Sequence, residues 1–184
     1  MRTKQGSIGP EIAGTGSPGP SDEAVTIPGV LLNFLDRASA AIAATRNADL
    51  IPHIHQVLAW HVGPDRRTIT CLVSKAFTPH IVESLEDNGE FAVTIEEIGP
   101  HETYQFKGRF LDARAVDDGE DRHAFERVRE RYVRAVVAFT GFPEERVRTF
   151  VRLPEIAVRF EVREIFVQTP GPGAGTRLVP REEA

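Results

Sequence analysis

A serine and a lysine, Ser74 and Lys75, stand where an apolar stretch ends and a helical pattern is about to begin. The run Thr68–Val73 is typical of a strand, and helical spacing resumes after Thr78 and Pro79. A hydroxyl and an ammonium at a corner just before a helix offer donors to a small anion such as a phosphate. Without further support, such a pair is also an ordinary solvated turn.

Three histidines in one predicted strand, His53, His55 and His61, form a second chemical pattern. Residues two apart on a strand share a face, so His53 and His55 could reach one metal ion, with His61 on the same parity. A mononuclear site also needs a carboxylate and another histidine nearby. His101, in a loop, and His80, before a helix, do not supply them. The sequence therefore favours half-exposed strand histidines and no metal site.

Hydrolase chemistry finds less support in the sequence. No GxSxG motif occurs, and the single cysteine, Cys71, lies in an apolar strand run that is typical of a core position. Glu96 and Glu97 are adjacent on a strand end, so they face opposite ways and do not share a reaction centre. The residues alone name no catalytic group.

Composition narrows the class of protein. The chain has 184 residues, 41% of them hydrophobic, and a formal charge of -5, which fits one globular domain and argues against nucleic-acid binding. One cysteine excludes an intrachain disulfide. No apolar run is long enough for a membrane span, and the first residues lack a hydrophobic signal core. We therefore expect a soluble cytoplasmic protein.

Elements that position the corner are predicted from periodicity. Six strands are expected at residues 39–45, 51–62, 68–73, 91–95, 103–116 and 155–167, with helices at the start, after the third strand and before the sixth. The helix over 119–139 carries one apolar stripe, Phe125, Val128, Tyr132, Val136 and Phe139. Gly108 predicts a bulge or the close approach of a ligand. The pattern predicts a mainly β fold, a six-stranded antiparallel barrel with peripheral helices, at residues 25–168, between a flexible tail at 1–24 and a Gly/Pro-rich tail at 169–184.

The order of these elements resembles the pyridoxamine 5'-phosphate oxidase-like, FMN-binding split-barrel proteins. The resemblance covers residues 30–116 and is carried by SAAIAAT, RNADLIPHIHQVLAW, RRTITCLVSKAFTPHIVESLEDNGEFAVTI and YQFKGRF. In that family a Ser followed by Lys or Arg contacts the flavin phosphate, and Ser74-Lys75 matches this motif. The resemblance implies FMN as cofactor, a homodimer with the cofactor between two barrels, and a flavin-dependent oxidoreductase acting on a small molecule.

Further cofactor contacts follow from the resemblance with less direct matches. Thr70 lies on the strand that leads into the corner, His55 stands where the oxidases carry an Arg, and Gln105 lies two residues after the family's glutamine position. Trp60 replaces a lysine of the oxidases, and Gly173 stands where they have a tryptophan. These departures argue against the specific vitamin B6 oxidase activity. A split barrel that stores or senses flavin or haem, with a strand histidine as axial ligand, and an enzyme using a deazaflavin cofactor remain alternatives.

Overall fold

The computed structural model describes residues 23–76 and 80–178 of the chain. Four α-helices lie in these ranges: α1 (Gly29–Arg37), α2 (Ile81–Asn88), α3 (Glu120–Thr140) and α4 (Glu144–Phe150). Seven strands accompany them: β1 (Ala40–Arg46), β2 (Pro52–Val62), β3 (Thr68–Val73), β4 (Glu90–Glu97), β5 (Glu102–Ala115), β6 (Ile156–Val167) and β7 (Arg177–Leu178). Every strand and helix predicted from periodicity is present.

Six antiparallel strands form a closed barrel. Their order is β3-β2-β1-β4-β5-β6, and the barrel closes because β3 also pairs with β6, from Thr68 opposite Glu161 to Val73 opposite Ile156. Closure leaves none of these six strands as an open sheet edge along its paired length. The predicted mainly β fold with peripheral helices is confirmed. The short strand β7 pairs with β6 outside the barrel.

Large apolar side chains fill the barrel interior. Phe91 and Phe160 stack edge to face with ring centroids 4.9 Å apart, and Phe106 is fully buried beside them in the core. Helix α1 packs on the barrel through Leu31, Phe34 and Leu35, and the Phe34 ring meets the ring of Tyr104 at 4.8 Å. Such aromatic pairs add stabilisation beyond their buried area.

Gly108 marks a bulge, as its position in β5 predicted. The pairing register with β6 shifts between Lys107 and Gly108. A Cβ at position 108 would collide with the main-chain carbonyl of Glu161, which a side chain cannot move aside. The group that approaches Gly108 closely is therefore the main chain of β6.

Helix α3 begins and ends close to the predicted bounds, but its buried face differs from the predicted stripe. Ala124, Phe125, Val128 and Val133 are buried, whereas Phe139 is 68% exposed. Helix α3 packs closely against β2 and α4, and the Phe139 ring lies beside the ring of His101 at 6.3 Å between centroids. An apolar stripe predicts the face that can be buried, and the length of the supporting sheet decides how much of it is.

The ends of the chain are only partly described. Of the tail predicted at residues 1–24, only Glu23 and Ala24 fall in the described ranges, so the prediction stays open. Among the first described residues, the N–H of Val25 donates to Val162 O and the N–H of Ile27 donates to Arg66 O. In the predicted C-terminal tail, residues 169–178 are described and include β7. Among the described helices, none combines the length and apolar character needed to cross a membrane.

Candidate functional site

The corner at Ser74 follows directly from the pairing of β3. Its last residue, Val73, pairs with Val57 of β2 on one side and with Ile156 of β6 on the other, so Ser74 leaves the barrel between two strands. The Ser74 side chain is buried, whereas Lys75 is exposed. The segment at 77–79, which includes the predicted helix entrance at Thr78 and Pro79, lies outside the described residues.

The corner already binds an anion, the carboxylate of Glu155. Ser74 donates from its hydroxyl to Glu155 Oε2 at 3.1 Å, and the main-chain N–H of Lys75 donates to the same oxygen at 3.0 Å. The N–H of Ala76 in turn donates to Ser74 Oγ at 3.3 Å. The Ser74 hydroxyl is one of the two donors predicted for this corner, but the second donor to this oxygen is the main-chain N–H of Lys75 and not the predicted ammonium.

Glu155 is the residue that sequence reasoning missed at this place. It was assigned only to the start of the last strand, and nothing in its neighbourhood along the chain points to Ser74, which lies 81 residues away. Its main-chain N–H donates to Val73 O at 2.9 Å, which fixes the carboxylate beside the corner. No side-chain partner of Lys75 is found within the described residues, so its ammonium adds positive charge next to this carboxylate.

His55 lies in the barrel wall with its ring buried. Its Nε2 is 2.8 Å from Thr45 Oγ1, and Nδ1 has no hydrogen-bond partner among the described residues. Burial, with a smaller contribution from the charge of His53, lowers the pKa of His55 to about 4. At neutral pH the ring is therefore uncharged, and the cofactor contact predicted for His55 stays a prediction.

A bulge in β2 separates the three histidines that share one predicted face. The register shifts between Val57 and Ala59. This bulge reverses the alternation of side chains, so odd-numbered residues face one side of the sheet before Leu58 and the opposite side after it. His61 consequently lies on the outer face, where Nε2 is 2.9 Å from Asp121 of α3. The prediction that His61 shares the parity of His53 and His55 is wrong for this reason. No group of three or more potential metal ligands occurs within the described residues.

Thr70 and Cys71 illustrate the two faces of β3. Thr70 is buried on the outer face, opposite His61 of β2 and Arg159 of β6. Cys71 is fully buried on the inner face, and burial raises the pKa of its thiol well above the usual range. The core position predicted for Cys71 is confirmed, and a buried, protonated thiol is not a nucleophile.

Gln105 lies on the outer face of β5 in a row of paired residues. Its Nε2 donates to Thr94 Oγ1 at 3.2 Å, Thr94 pairs with Ile42, and Ile42 pairs with Gln56. The row crosses β5, β4, β1 and β2, and it ends one position from Val57, the partner of Val73. It therefore leads across the outer face toward the Ser74 corner.

A groove with a cavity of ≈ 240 Å³ runs along this outer face. Its floor is formed by β1, β2 and β4 and includes Ile42, Gln56, Leu58 and Thr94. Arg129 and Tyr132 of α3 line one wall, and Arg129 is held there by Glu126 at 2.8 Å. An apolar floor with a few polar side chains is the usual composition of a small-molecule site.

Comparisons with known proteins give fold matches alone. A scan against protein-family models and a search of curated proteins find no match. Similar solved structures include a putative pyridoxamine 5'-phosphate oxidase from Lactobacillus delbrueckii, with 17% identity, 80% of this chain and 99% of that chain covered, and a TM-score of 0.48. An F420 reductase has 12% identity over 76% of this chain and 98% of that chain, with a TM-score of 0.48.

A haem storage protein from Vibrio cholerae, HutZ, is also similar, with 13% identity, 78% of this chain and 95% of that chain covered, and a TM-score of 0.42. Proteins described as pyridoxamine 5'-phosphate oxidase-related and FMN-binding are thus among the similar structures. The fold that the sequence resemblance implied is present in the closed barrel itself.

Proposed function

We propose that this chain is an FMN-binding split barrel of the pyridoxamine 5'-phosphate oxidase-like type and acts as a flavin-dependent oxidoreductase on a small molecule. The observation that carries the proposal is the Ser74-Lys75 corner, where a hydroxyl and a main-chain N–H bind the carboxylate of Glu155. A corner that binds one oxyanion has the donors to bind another, and the flavin phosphate is such a group.

The donor set suits a phosphate better than a carboxylate. A phosphate monoester carries up to two negative charges and three terminal oxygens, whereas Glu155 carries one charge and two oxygens. The Lys75 ammonium, exposed beside the corner, supplies the additional positive charge. The phosphate and Glu155 compete for the same donors, so we infer that Glu155 moves aside when the cofactor binds.

The neighbouring groove suits the ring system. Gln56 and Val57 line it, and Val57 pairs with Val73 immediately before the corner. A molecule with its phosphate at Ser74 therefore extends naturally along the outer face, where Ile42 offers apolar contact and Thr94 and Gln105 offer polar edges. Bound flavin supplies the electron or hydride transfer, while the chain holds the phosphate, orients the ring and excludes water.

A second copy of the chain is proposed to cover the outer face beside the groove. Ile42 is 54% exposed and Ile54 is 73% exposed, both on the side of β1 and β2 that points out of the barrel. Exposed apolar side chains in one patch are typical of interaction surfaces. A homodimer that shares the cofactor between two such faces agrees with the family resemblance.

The test is FMN binding by the purified protein and by Lys75→Ala. We expect the substitution to weaken FMN binding by at least ~1 kcal/mol, about fivefold in Kd, because it removes a charge-assisted contact to the phosphate. Lys107→Ala is the matched control, since Lys107 lies on β5 with its ammonium 4.7 Å from the centre of the Phe166 ring. Equal affinities of Lys75→Ala and the unsubstituted protein would contradict the phosphate site.

The visible spectrum distinguishes the alternatives. Flavin bands after incubation with FMN support the proposal. A Soret band after incubation with haem supports a haem-storing or haem-sensing barrel. Retention of a deazaflavin alone supports an enzyme that uses a deazaflavin cofactor. A protein that retains neither flavin nor deazaflavin overturns the oxidoreductase proposal.

A further inference from the structure

A second cavity, of ≈ 300 Å³, lies between α1, the hairpin that joins β2 to β3, and the N-terminal half of α3. It is separate from the groove and from the Ser74 corner, and the two cavities share no lining residue. Its lining is notable for three arginines, Arg66, Arg127 and Arg131, and for His61.

None of the three arginines makes an ion pair with a carboxylate within the described residues. Arg66 donates through Nε and Nη2 to the main-chain carbonyl of Ile27, at 3.2 and 2.9 Å. Arg131 donates through Nε to the carbonyl of Ala38 at 2.9 Å. For Arg127 no hydrogen bond or ion pair is found within the part of the chain that the structure describes. Neutral carbonyls fix two guanidinium groups in place but leave their positive charge uncompensated.

This arrangement differs from that of most other arginines in the described residues. Nine arginines elsewhere in the described residues make ion pairs with carboxylates: Arg37, Arg109, Arg114, Arg122, Arg129, Arg148, Arg159, Arg163 and Arg177. The chain has an excess of acidic residues, so acidic partners are not scarce. Burial, together with the nearby Arg127 and Arg134, lowers the pKa of Arg131, although Asp36 opposes this effect. Three of the arginines that make no ion pair with a carboxylate among the described residues therefore line this one cavity.

Arg66 is held in place by the turn that joins β2 to β3. Arg66 takes a φ of 56°, a conformation that costs free energy for any residue with a side chain. Its N–H is held by Gly63 O at 2.9 Å, and its guanidinium by Ile27. Two sets of contacts thus hold this charge toward the cavity.

The His61 ring also lines this cavity. Its imidazole is about nine-tenths buried, and Nε2 is held by Asp121 at 2.9 Å. Asp121 is itself fixed by Arg114 and by the N–H of Asp117. Nδ1 is buried and makes no hydrogen bond to a described residue. Its nearest carboxylate oxygen, in Glu120, is 3.4 Å away.

Two carboxylates oppose the positive charge. Asp36 and Glu120 also line the cavity, and the Glu120 side chain is 65% exposed. Three guanidinium groups outnumber them, and the remaining walls are largely apolar, with Leu32, Leu35 and Trp60 among them. A ligand that fits has a compact apolar body and one anionic group.

We propose that this cavity binds the oxyanion group, phosphate or carboxylate, of a small ligand, with Arg66, Arg127 and Arg131 as the cationic contacts. The planar fork of a guanidinium matches the geometry of both oxyanions. Bound there, the anion supplies the counter-charge that these arginines lack. The proposal does not depend on flavin binding.

Trp60 makes the experiment specific, because it is the only tryptophan in the chain and lines this cavity. The protein is titrated at constant ionic strength with inorganic phosphate and, separately, with acetate, while tryptophan emission and heat of binding are recorded. We expect a saturable signal with at least one anion, and the anion that saturates at lower concentration identifies the group. Arg127→Ala is expected to weaken this binding about tenfold, since it removes one charge-assisted contact.

Two controls separate this cavity from other anion sites. Arg146→Ala removes one positive charge from α4, outside the cavity, and it is expected to leave the binding constant unchanged. Lys75→Ala perturbs the corner proposed for flavin phosphate, and it is also expected to leave the tryptophan response unchanged. No saturable signal with either anion, or an Arg127→Ala variant that binds as tightly as the unsubstituted protein, overturns the proposal. A response lost in Lys75→Ala assigns the binding to the Ser74 corner and overturns it as well.

Discussion

Glu155→Ala tests whether the Ser74 corner is an anion site that Glu155 fills when no phosphate is present. Glu155 is exposed, and its carboxylate accepts one hydrogen bond from the Ser74 hydroxyl and one from the Lys75 N–H. Removing the carboxylate frees both donors, while the main-chain bond from Glu155 N to Val73 O remains available. We therefore expect Glu155→Ala to bind FMN more tightly than the unsubstituted protein.

The magnitude follows from two contributions of similar size. A hydrogen bond to a charged group contributes ~1.5–3 kcal/mol when it is buried, and the exposed position of Glu155 reduces this to about 1 kcal/mol. Removing one negative charge roughly 6 Å from a phosphate charge contributes about 0.7 kcal/mol in water, before salt screening. The two contributions overlap, so we expect a gain of about 1 kcal/mol, or about fivefold in Kd. The same loss of hydrogen bonds should lower the free energy of unfolding of the apoprotein by about 1 kcal/mol.

The assay is a fluorescence titration of FMN with the unsubstituted protein, Glu155→Ala and Glu145→Ala. Glu145 is an exposed glutamate of α4, so its substitution controls for the change in net charge. Ser74→Ala combined with Glu155→Ala completes a double-mutant cycle, and the coupling between the two positions is expected to be clearly non-zero. Weaker FMN binding by Glu155→Ala, with the protein folded, would refute competition and identify Glu155 as part of the binding site.

Two further predictions concern assembly and pH. Ile54→Glu is expected to convert the proposed dimer into a monomer in sedimentation experiments. Val30→Glu, at an equally exposed apolar residue on α1, should leave the dimer intact. A dimer that persists in Ile54→Glu contradicts the proposed dimer face. Burial raises the pKa of Asp121, but hydrogen bonds from Arg114, the Asp117 N–H and His61 outweigh it and lower this pKa to about 2. The resulting contribution to the free energy of unfolding is present above about pH 4 and is lost as the pH falls toward 2. Urea unfolding should therefore show a loss of roughly 1–2 kcal/mol over this pH range, and Asp121→Asn should abolish that loss. An unchanged pH dependence in the variant would contradict this origin.

Local pattern predicted the elements of this fold well, for a clear physical reason. Alternation of apolar residues specifies strands, and Gly89 ends α2 with a φ of 69° because a left-handed residue after a helix favours glycine. The bulge in β2 near Leu58 was not predicted. An extra residue in a run that is apolar at every position leaves no signal in the alternation, and it reversed the face assigned to His61.

The candidate site likewise has a part that the sequence predicts and a part that it does not. The sequence predicted that a hydroxyl and an ammonium lie next to each other at Ser74-Lys75, because these residues are neighbours along the chain. The main-chain N–H of Lys75, which was not predicted, is the second donor that the structure shows at the corner. Only the tertiary structure placed the Glu155 carboxylate on those donors, since the contact depends on the closure of the barrel between β3 and β6. The same holds for Arg66 of the β2–β3 hairpin and for Arg127 and Arg131 of α3, which line one cavity only after α1 and α3 pack on the barrel. Functional groups that are adjacent along the chain can therefore be predicted from the sequence. Contacts between residues that are far apart in the sequence depend on how the helices and strands pack.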